Sequence, residues 1–345
     1  MHLARLRLVG LGPFDDLTLS FSQTGGAPRP LTMILGSGGV GKSTLLGAIA
    51  STRPGYAVAL NRAPRQAHAV AHWHLGLDDP GRPHPLRVCT PSAQLDEPED
   101  EALHHRREQA LFDKRAAEQG FVLLHFPAVR WFSRAPLVLT APERSLLRYD
   151  VRATTTLDDA TRADLARETK QTLSYASIAA ALVSRGHQPQ PRLLAFEQTL
   201  RRVVSTLVGL TGHAYLGADP ISLEPIFQSP SERILPFDEL PTATRHLAAF
   251  GALTLRALLA AYPETSLLHA EATVLIDEIE LHQEASVARR IAPALRQALP
   301  RVQWILTTSS ASVAASCETD ELLALRRTPP SERIELHEGP IALVH

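Results

Sequence analysis

Nine consecutive residues, Gly36-Ser37-Gly38-Gly39-Val40-Gly41-Lys42-Ser43-Thr44, constrain this chain more than anything else in its sequence. They satisfy G-x-x-x-x-G-K-[ST], in which glycines let successive backbone N–H groups curl around a β-phosphate. A helix starting at the lysine adds the favourable end of its dipole. In that geometry Lys42 reaches the β- and γ-phosphates and the Ser43 hydroxyl binds Mg²⁺. The flanks agree: the apolar run Leu31-Thr32-Met33-Ile34-Leu35 reads as a buried strand, and an apolar-rich helix begins near Lys42. Lysine occurs only at positions 42, 114 and 170, so a lysine at the motif position is not explained by composition. ATP and Mg²⁺ are the expected ligands.

A second pattern lies far downstream. Thr273-Val274-Leu275-Ile276 is a strand-like run ending in two adjacent carboxylates, Asp277 and Glu278. It has the form of a Walker B motif, with Asp277 helping to hold Mg²⁺ and Glu278 orienting or deprotonating the attacking water.

The stretches between these motifs alternate strand and helix, which predicts an α/β fold with a mainly parallel sheet flanked by helices. Strands are expected at Leu3–Val9, Leu17–Phe21, Leu31–Leu35, His68–Leu77, Leu86–Thr90, Phe121–Phe126, Thr273–Ile276, Val302–Thr307, Leu322–Leu325 and Ile334–Leu336. Helices are expected from the acidic cluster at Asp96–Glu101 to Gly120, over Asp158–Arg185 and Leu193–Leu210, from Thr242, and over Ala285–Leu299. The whole chain, 1–345, reads as one domain, with residues 56–235 as a partly helical insertion. Its helices are too short, and lack the heptads, for a long coiled coil.

The net charge is -1 at a pI near 7.0, so no global positive field recruits nucleic acid. No apolar run approaches the ~18 residues needed to span a membrane, and no secretory pattern opens the chain. A cytoplasmic protein without membrane association follows as the expectation. Cys89 and Cys317 match no metal or redox spacing and read as packing residues. His72, His74, His104, His105 and His282 lack a third ligand at fixed spacing and read as ordinary surface or core histidines.

Ile276-Asp277-Glu278-Ile279-Glu280-Leu281-His282, a helix, and then Val302–Ser310 resemble the C-terminal half of ABC-type ATPases. The closest resemblance is to the SMC/RecF/OLD-like branch, including short AAA-labelled ATP-binding proteins of bacteria. The N-terminal strand pair with Phe14-Asp15-Asp16-Leu17 is similar to that branch too. The likeness covers roughly residues 1–50 and 235–340. It implies a P-loop NTPase of the ABC/SMC-head type, with an N-terminal antiparallel strand pair and two heads that sandwich ATP. A signature loop from one head then caps the γ-phosphate bound to the other.

Two departures stand out. Against the family's Leu-Ser-x-Gly-x-Arg signature this chain has Leu240-Pro241-Thr242-Ala243-Thr244-Arg245, leaving Thr242 or Thr244 to supply a hydroxyl. In the Thr-Thr-His-Ser-like switch, Ser309 stands where the histidine belongs. The family's glutamine loop is not recognisable, although His125 and Arg130 lie in its region. The resemblance therefore implies a slow Mg-dependent ATPase whose nucleotide-driven dimerisation, with itself or another protein, controls an effector, with bacterial defence as one setting. The alternatives are a hydrolysis-deficient ATP-sensing scaffold and, more weakly, a RecF-like DNA maintenance ATPase.

Overall fold

A computed structural model describes residues 1–23, 25–52, 67–74, 84–90, 95, 97–118, 121–141, 162–185, 190–262, 266–328 and 332–343. The chain opens with β1 (His2–Leu11), β2 (Phe14–Ser20), β3 (Leu31–Gly36) and α1 (Lys42–Ser51). Next come β4 (His68–His74), β5 (Leu86–Cys89), α2 (Glu99–Glu118), β6 (Leu123–Phe126) and β7 (Val129–Trp131). The middle holds β8 (Arg162–Asp164), α3 (Ala166–Arg185), α4 (Pro191–Val208), β9 (Ala214–Ala218), β10 (Pro225–Gln228) and β11 (Ile234–Pro236). The last part comprises α5 (Thr242–Ala261), β12 (Ala272–Ile276), α6 (Ala285–Ala298), β13 (Val302–Thr308), α7 (Ala311–Ala314), β14 (Leu322–Thr328) and β15 (Arg333–Glu338).

The central sheet has the order β15-β14-β3-β13-β12-β6. Its pairs are parallel except for the antiparallel edge strand β15. Strands buried on both faces need apolar residues at nearly every position. β3, β12 and β13 are buried along their whole length. Alternate residues face two different cores. Met33, Val274, Ile276, Trp304 and Leu306 pack with α4, α5 and α6, whereas Ile34, Leu275 and Ile305 pack with the N-terminal strands.

Those N-terminal strands form a second, antiparallel sheet of order β2-β1-β4-β5. The expected strand pair is its β1-β2 half, with β2 beginning at Phe14 rather than Leu17 because Phe14 pairs with Leu11 across the turn. β4 and β5, which fall within the expected insertion, complete this sheet, and β6 is an edge of the central one. The middle of the chain is thus tied into both layers.

Several boundaries differ from expectation. The helix expected over 158–185 begins at Ala166, after the short strand β8, which pairs with β7. Its start signal is Asp164, whose Oδ1 accepts hydrogen bonds from the N–H groups of Ala166 and Ser133. The expected start at Asp158-Asp159 lies outside the described residues, as do residues 75–77 of the strand expected over 68–77. The three-stranded sheet β11-β10-β9 was not anticipated. Among the described residues no helix is long and apolar enough to cross a membrane.

Candidate nucleotide site

The phosphate loop is a turn between two buried elements, β3 and α1. Ser37, Gly38, Gly39 and Ser43 are exposed, Thr44 is half-buried, and Val40 anchors the loop in the interior. Gly41 adopts φ 94°, and a Cβ there would meet the Phe14 ring and Pro13 at 2.6 Å. A glycine is therefore required on both counts, strain and space. The hairpin turn between β1 and β2 lies against the start of α1, since a Cβ at Gly12 would come within 2.9 Å of Thr44.

Lys42 is 6% exposed, and its Nζ donates to the carbonyls of Gly36 at 2.7 Å and Ser37 at 3.1 Å. α1 has no side-chain cap and no acidic residue in its first turn. Its leading N–H groups, a buried ammonium and an exposed Ser43 hydroxyl thus converge at one helix start. That donor set fits an anion with an associated divalent cation.

The carboxylates arrive from β12. Register places Leu35 beside Thr308 and Ile276 beside Leu306, so β3 and β12 leave the sheet at the same edge on either side of β13. Two strand spacings separate them, about 10 Å. Asp277 is 1% exposed, and its Oδ1 accepts from the Thr307 hydroxyl at 2.5 Å. The same hydroxyl oxygen accepts the Glu278 N–H at 2.8 Å, so Thr307 locks both carboxylate residues to β13. Glu278 has φ 48° and His282 φ 64°, two left-handed non-glycine residues within one short turn. Strain of this kind costs about 1–3 kcal/mol per residue and concentrates at functional sites.

The segments expected to close the site are placed differently. Thr244 is fully buried, and its hydroxyl contacts Thr211 Oγ1 at 3.0 Å and His213 Nδ1 at 3.4 Å. It faces inward because it lies at the third position of α5, on the side that packs into the protein, and its hydroxyl is not presented to a second molecule. Thr242, at the first position of α5, is half-buried and accepts from Arg245 Nη2 at 3.1 Å. Ser309 is exposed, and both its N–H (2.8 Å) and its hydroxyl (3.0 Å) donate to Glu280 Oε1.

Sequence reasoning missed the joints between these parts. Gln283 Nε2 donates to the Ala243 carbonyl at 3.1 Å, and the His282 ring stacks on His246 at 5.3 Å. His246 is pushed down to about 3 by burial, with the charge of Arg130 adding to the effect, so it stays neutral at physiological pH. Thr307 was visible as a hydroxyl ending the neighbouring strand, but only the β12–β13 register shows that it reaches Asp277. Cys317 packs against the larger core, Cys89 is buried with its Sγ 3.9 Å from His105 Nδ1, and burial raises each thiol to about 12.

Comparison with known proteins agrees with this architecture. A family model described as an AAA domain matches residues 1–70, which include the phosphate loop. No curated protein matches the chain in sequence. Among solved structures, an SMC head bound to the C-winged helix domain of ScpA is similar, with a TM-score of 0.53 and 13% identity over 99% of each chain. The Smc head of Pyrococcus furiosus, with an extended coiled coil and the C-terminal domain of ScpA, gives 0.51 at 13% identity, covering 98% of this chain and 96% of that one. This is a P-loop fold of the SMC-head type. Within this fold β3 leads into the Gly36–Thr44 loop, β12 into Asp277 and Glu278, and α5 begins at Thr242.

Proposed function

We propose that this SMC-head-like protein binds ATP with Mg²⁺ and hydrolyses it slowly. The observation that carries the reading is the shared sheet edge: the Gly36–Thr44 loop and the Asp277–Glu278 pair leave it on either side of β13, with Thr307 fixing the carboxylates. Lys42 and the loop N–H groups would bind the β- and γ-phosphates. Ser43 and Asp277 would hold Mg²⁺, which supplies charge neutralisation at the phosphates. Glu278 would orient or accept a proton from the attacking water. Phosphoryl transfer needs chiefly positioning and charge stabilisation, so this set suffices for slow turnover.

Thr242, half-buried and accepting from Arg245, is left as the hydroxyl at the signature position, since Thr244 is engaged inside. A nucleotide sandwiched between this head and a second copy, or another protein, would then bias the association of the two. The solved SMC heads carry ScpA domains; for this chain a protein partner in the cytoplasm is proposed by analogy. Residues 56–235 are proposed as the source of partner choice, and exchange of that stretch between relatives without a change of partner would refute it.

A second reading, an ATP-sensing scaffold with no hydrolysis, is favoured by Ser309 being tied to Glu280 and by the proline opening α5. Phosphate release and ATP affinity for wild type, Lys42→Ala and Glu278→Gln separate the two. Release by wild type that both variants lose, with Glu278→Gln still binding ATP, supports an ATPase. Tight binding without release supports the sensor, and no binding by wild type sinks both.

A further inference from the structure

Arg130 is 4% exposed, and its guanidinium donates to three backbone carbonyls. Nη1 donates to the Pro127 carbonyl at 2.9 Å and to that of Asp277 at 2.6 Å, while Nη2 donates to the Glu278 carbonyl at 2.8 Å. The guanidinium carbon sits 5.4 Å from the Phe250 ring centroid on α5. Burial lowers this group to about 10, against the opposing charges of Asp277, Glu278 and Glu280, so it remains a cation at neutral pH. Burying a cation among neutral acceptors is costly, and charge-assisted bonds to carbonyls are strong and directional.

The geometry of those acceptors is informative. The Asp277 and Glu278 carbonyls belong to the two peptide planes on either side of the Glu278 Cα. One planar fork therefore holds both planes, and Thr307 pins the Glu278 N–H from the other side at 2.8 Å. With both planes fixed, the backbone of Glu278 is held at φ 48°, a region that a Cβ resists. The direction of its Cα–Cβ bond, and hence the reach of its carboxylate, is set by Arg130.

We infer that Arg130 is a positioning residue for Glu278: it clamps the turn after β12 so that the carboxylate faces the phosphate side of the site. The inference rests on the reading of Glu278 as the water-orienting group. Lysine cannot replace it fully, because a point charge on a flexible stem does not reproduce the rigid fork.

The experiment compares wild type, Arg130→Met and Arg130→Lys by kcat and KM for ATP, thermal midpoint, and amide hydrogen exchange over residues 277–283. For Arg130→Met, kcat falls about 10²-fold, the scale set by a misplaced catalytic group. KM for ATP stays near the wild-type value, and exchange accelerates in that turn but not in β3 or α1. Arg130→Lys falls between the two in both kcat and exchange, and it carries the test should the methionine variant not fold. Unchanged kcat, or a loss in which KM rises as kcat falls and exchange quickens everywhere, overturns the inference. If wild type releases no phosphate, hydrolysis in the proposed function fails on its own. Exchange then decides for Arg130: a local increase upholds the clamp, and an unchanged turn refutes it.

Discussion

The two ends of the central sheet are built from the same strands and solve opposite problems. At the carboxyl ends, β3 runs into an open glycine loop, β12 into a strained turn with two carboxylates, and β13 into exposed Ser309. At the amino ends the polar groups are closed on one another. Glu271, just before β12, meets the Met1 amine at 2.8 Å, Arg301 at 2.9 Å and His2 at 3.5 Å. Gln303 accepts the Leu3 N–H at 2.7 Å and donates to the Leu3 carbonyl at 2.8 Å. One end leaves the Ser37–Gly39 turn and Ser43 exposed, and the other uses its polar groups to hold β1 to the sheet. Ligand sites of open α/β sheets lie outside the carboxyl ends of the strands. The contrast therefore separates residues whose loss should silence the protein from those whose loss should unfold it.

The sharpest probe is Lys42→Ala. It should lower kcat/KM for ATP by about 10³-fold, comparable to removing a principal charge-stabilising donor, with little change in thermal midpoint. Glu278→Gln comes next, with turnover reduced about 10²–10³-fold and ATP binding retained, as for loss of a general base; filter binding beside phosphate release reads both.

At the opposite end, Glu271→Gln should destabilise the fold by about 3 kcal/mol, the scale of removing one partner from a buried ion cluster, and leave ATP affinity untouched. Burial by itself would raise the Glu271 carboxyl, but hydrogen bonding to His2 and the charges of the Met1 amine and His2 bring it well below the ordinary value of 4.5. A lowered folded-state value means stability that is present above pH 4.5 and lost as pH falls below it. Denaturant midpoints measured from pH 6 down to pH 3 should therefore drop for wild type and flatten for Glu271→Gln. An equal drop in both would remove Glu271 from the account.

Two smaller tests probe the closing segments. Thr244→Val removes one member of the Thr211–His213–Thr244 cluster and should cost about 1–2 kcal/mol in chemical denaturation. Turnover should be unaffected; a specific loss of turnover would return Thr244 to the site. Ser309→Ala breaks an exposed hydrogen bond to Glu280 and should change stability by less than about 0.5 kcal/mol. A large activity loss from it would make Ser309 a stand-in for the switch histidine.

Much of this was legible in the residues. The phosphate loop is a local motif, its backbone conformation dictated by glycines, and β12 announces itself by an apolar run ending in carboxylates. The fold class followed from strand and helix alternation for the same reason: period and punctuation are local. What escaped depends on partners remote in sequence. β9, β10 and β11 have three to five residues each, and Gly217, Pro225 and Pro236 interrupt any alternating pattern. Thr244 looks like a surface hydroxyl until α5 is docked and turns it inward. Arg130 is one arginine among many until β6 is paired with β12, which brings the Asp277 and Glu278 carbonyls within its reach.

The place of β3 in the strand order also has a kinetic consequence. Its two neighbours are β13 and β14, both near the far end of the chain. On the ribosome, the strand bearing the phosphate loop emerges long before either neighbour and has no edge of this sheet to join until Val302–Thr308 has been made. Long-range pairing of this kind is slow, and it leaves an apolar segment open to wrong partners while it waits. A chain arrested before Val302 should therefore remain protease-sensitive around Leu31–Gly36 and gain no protection from ATP, whereas one extended through Thr328 should gain it. Nucleotide would then act on the nascent chain as a ligand of the assembled sheet alone, drawing β13 and β14 into place beside β3 by mass action.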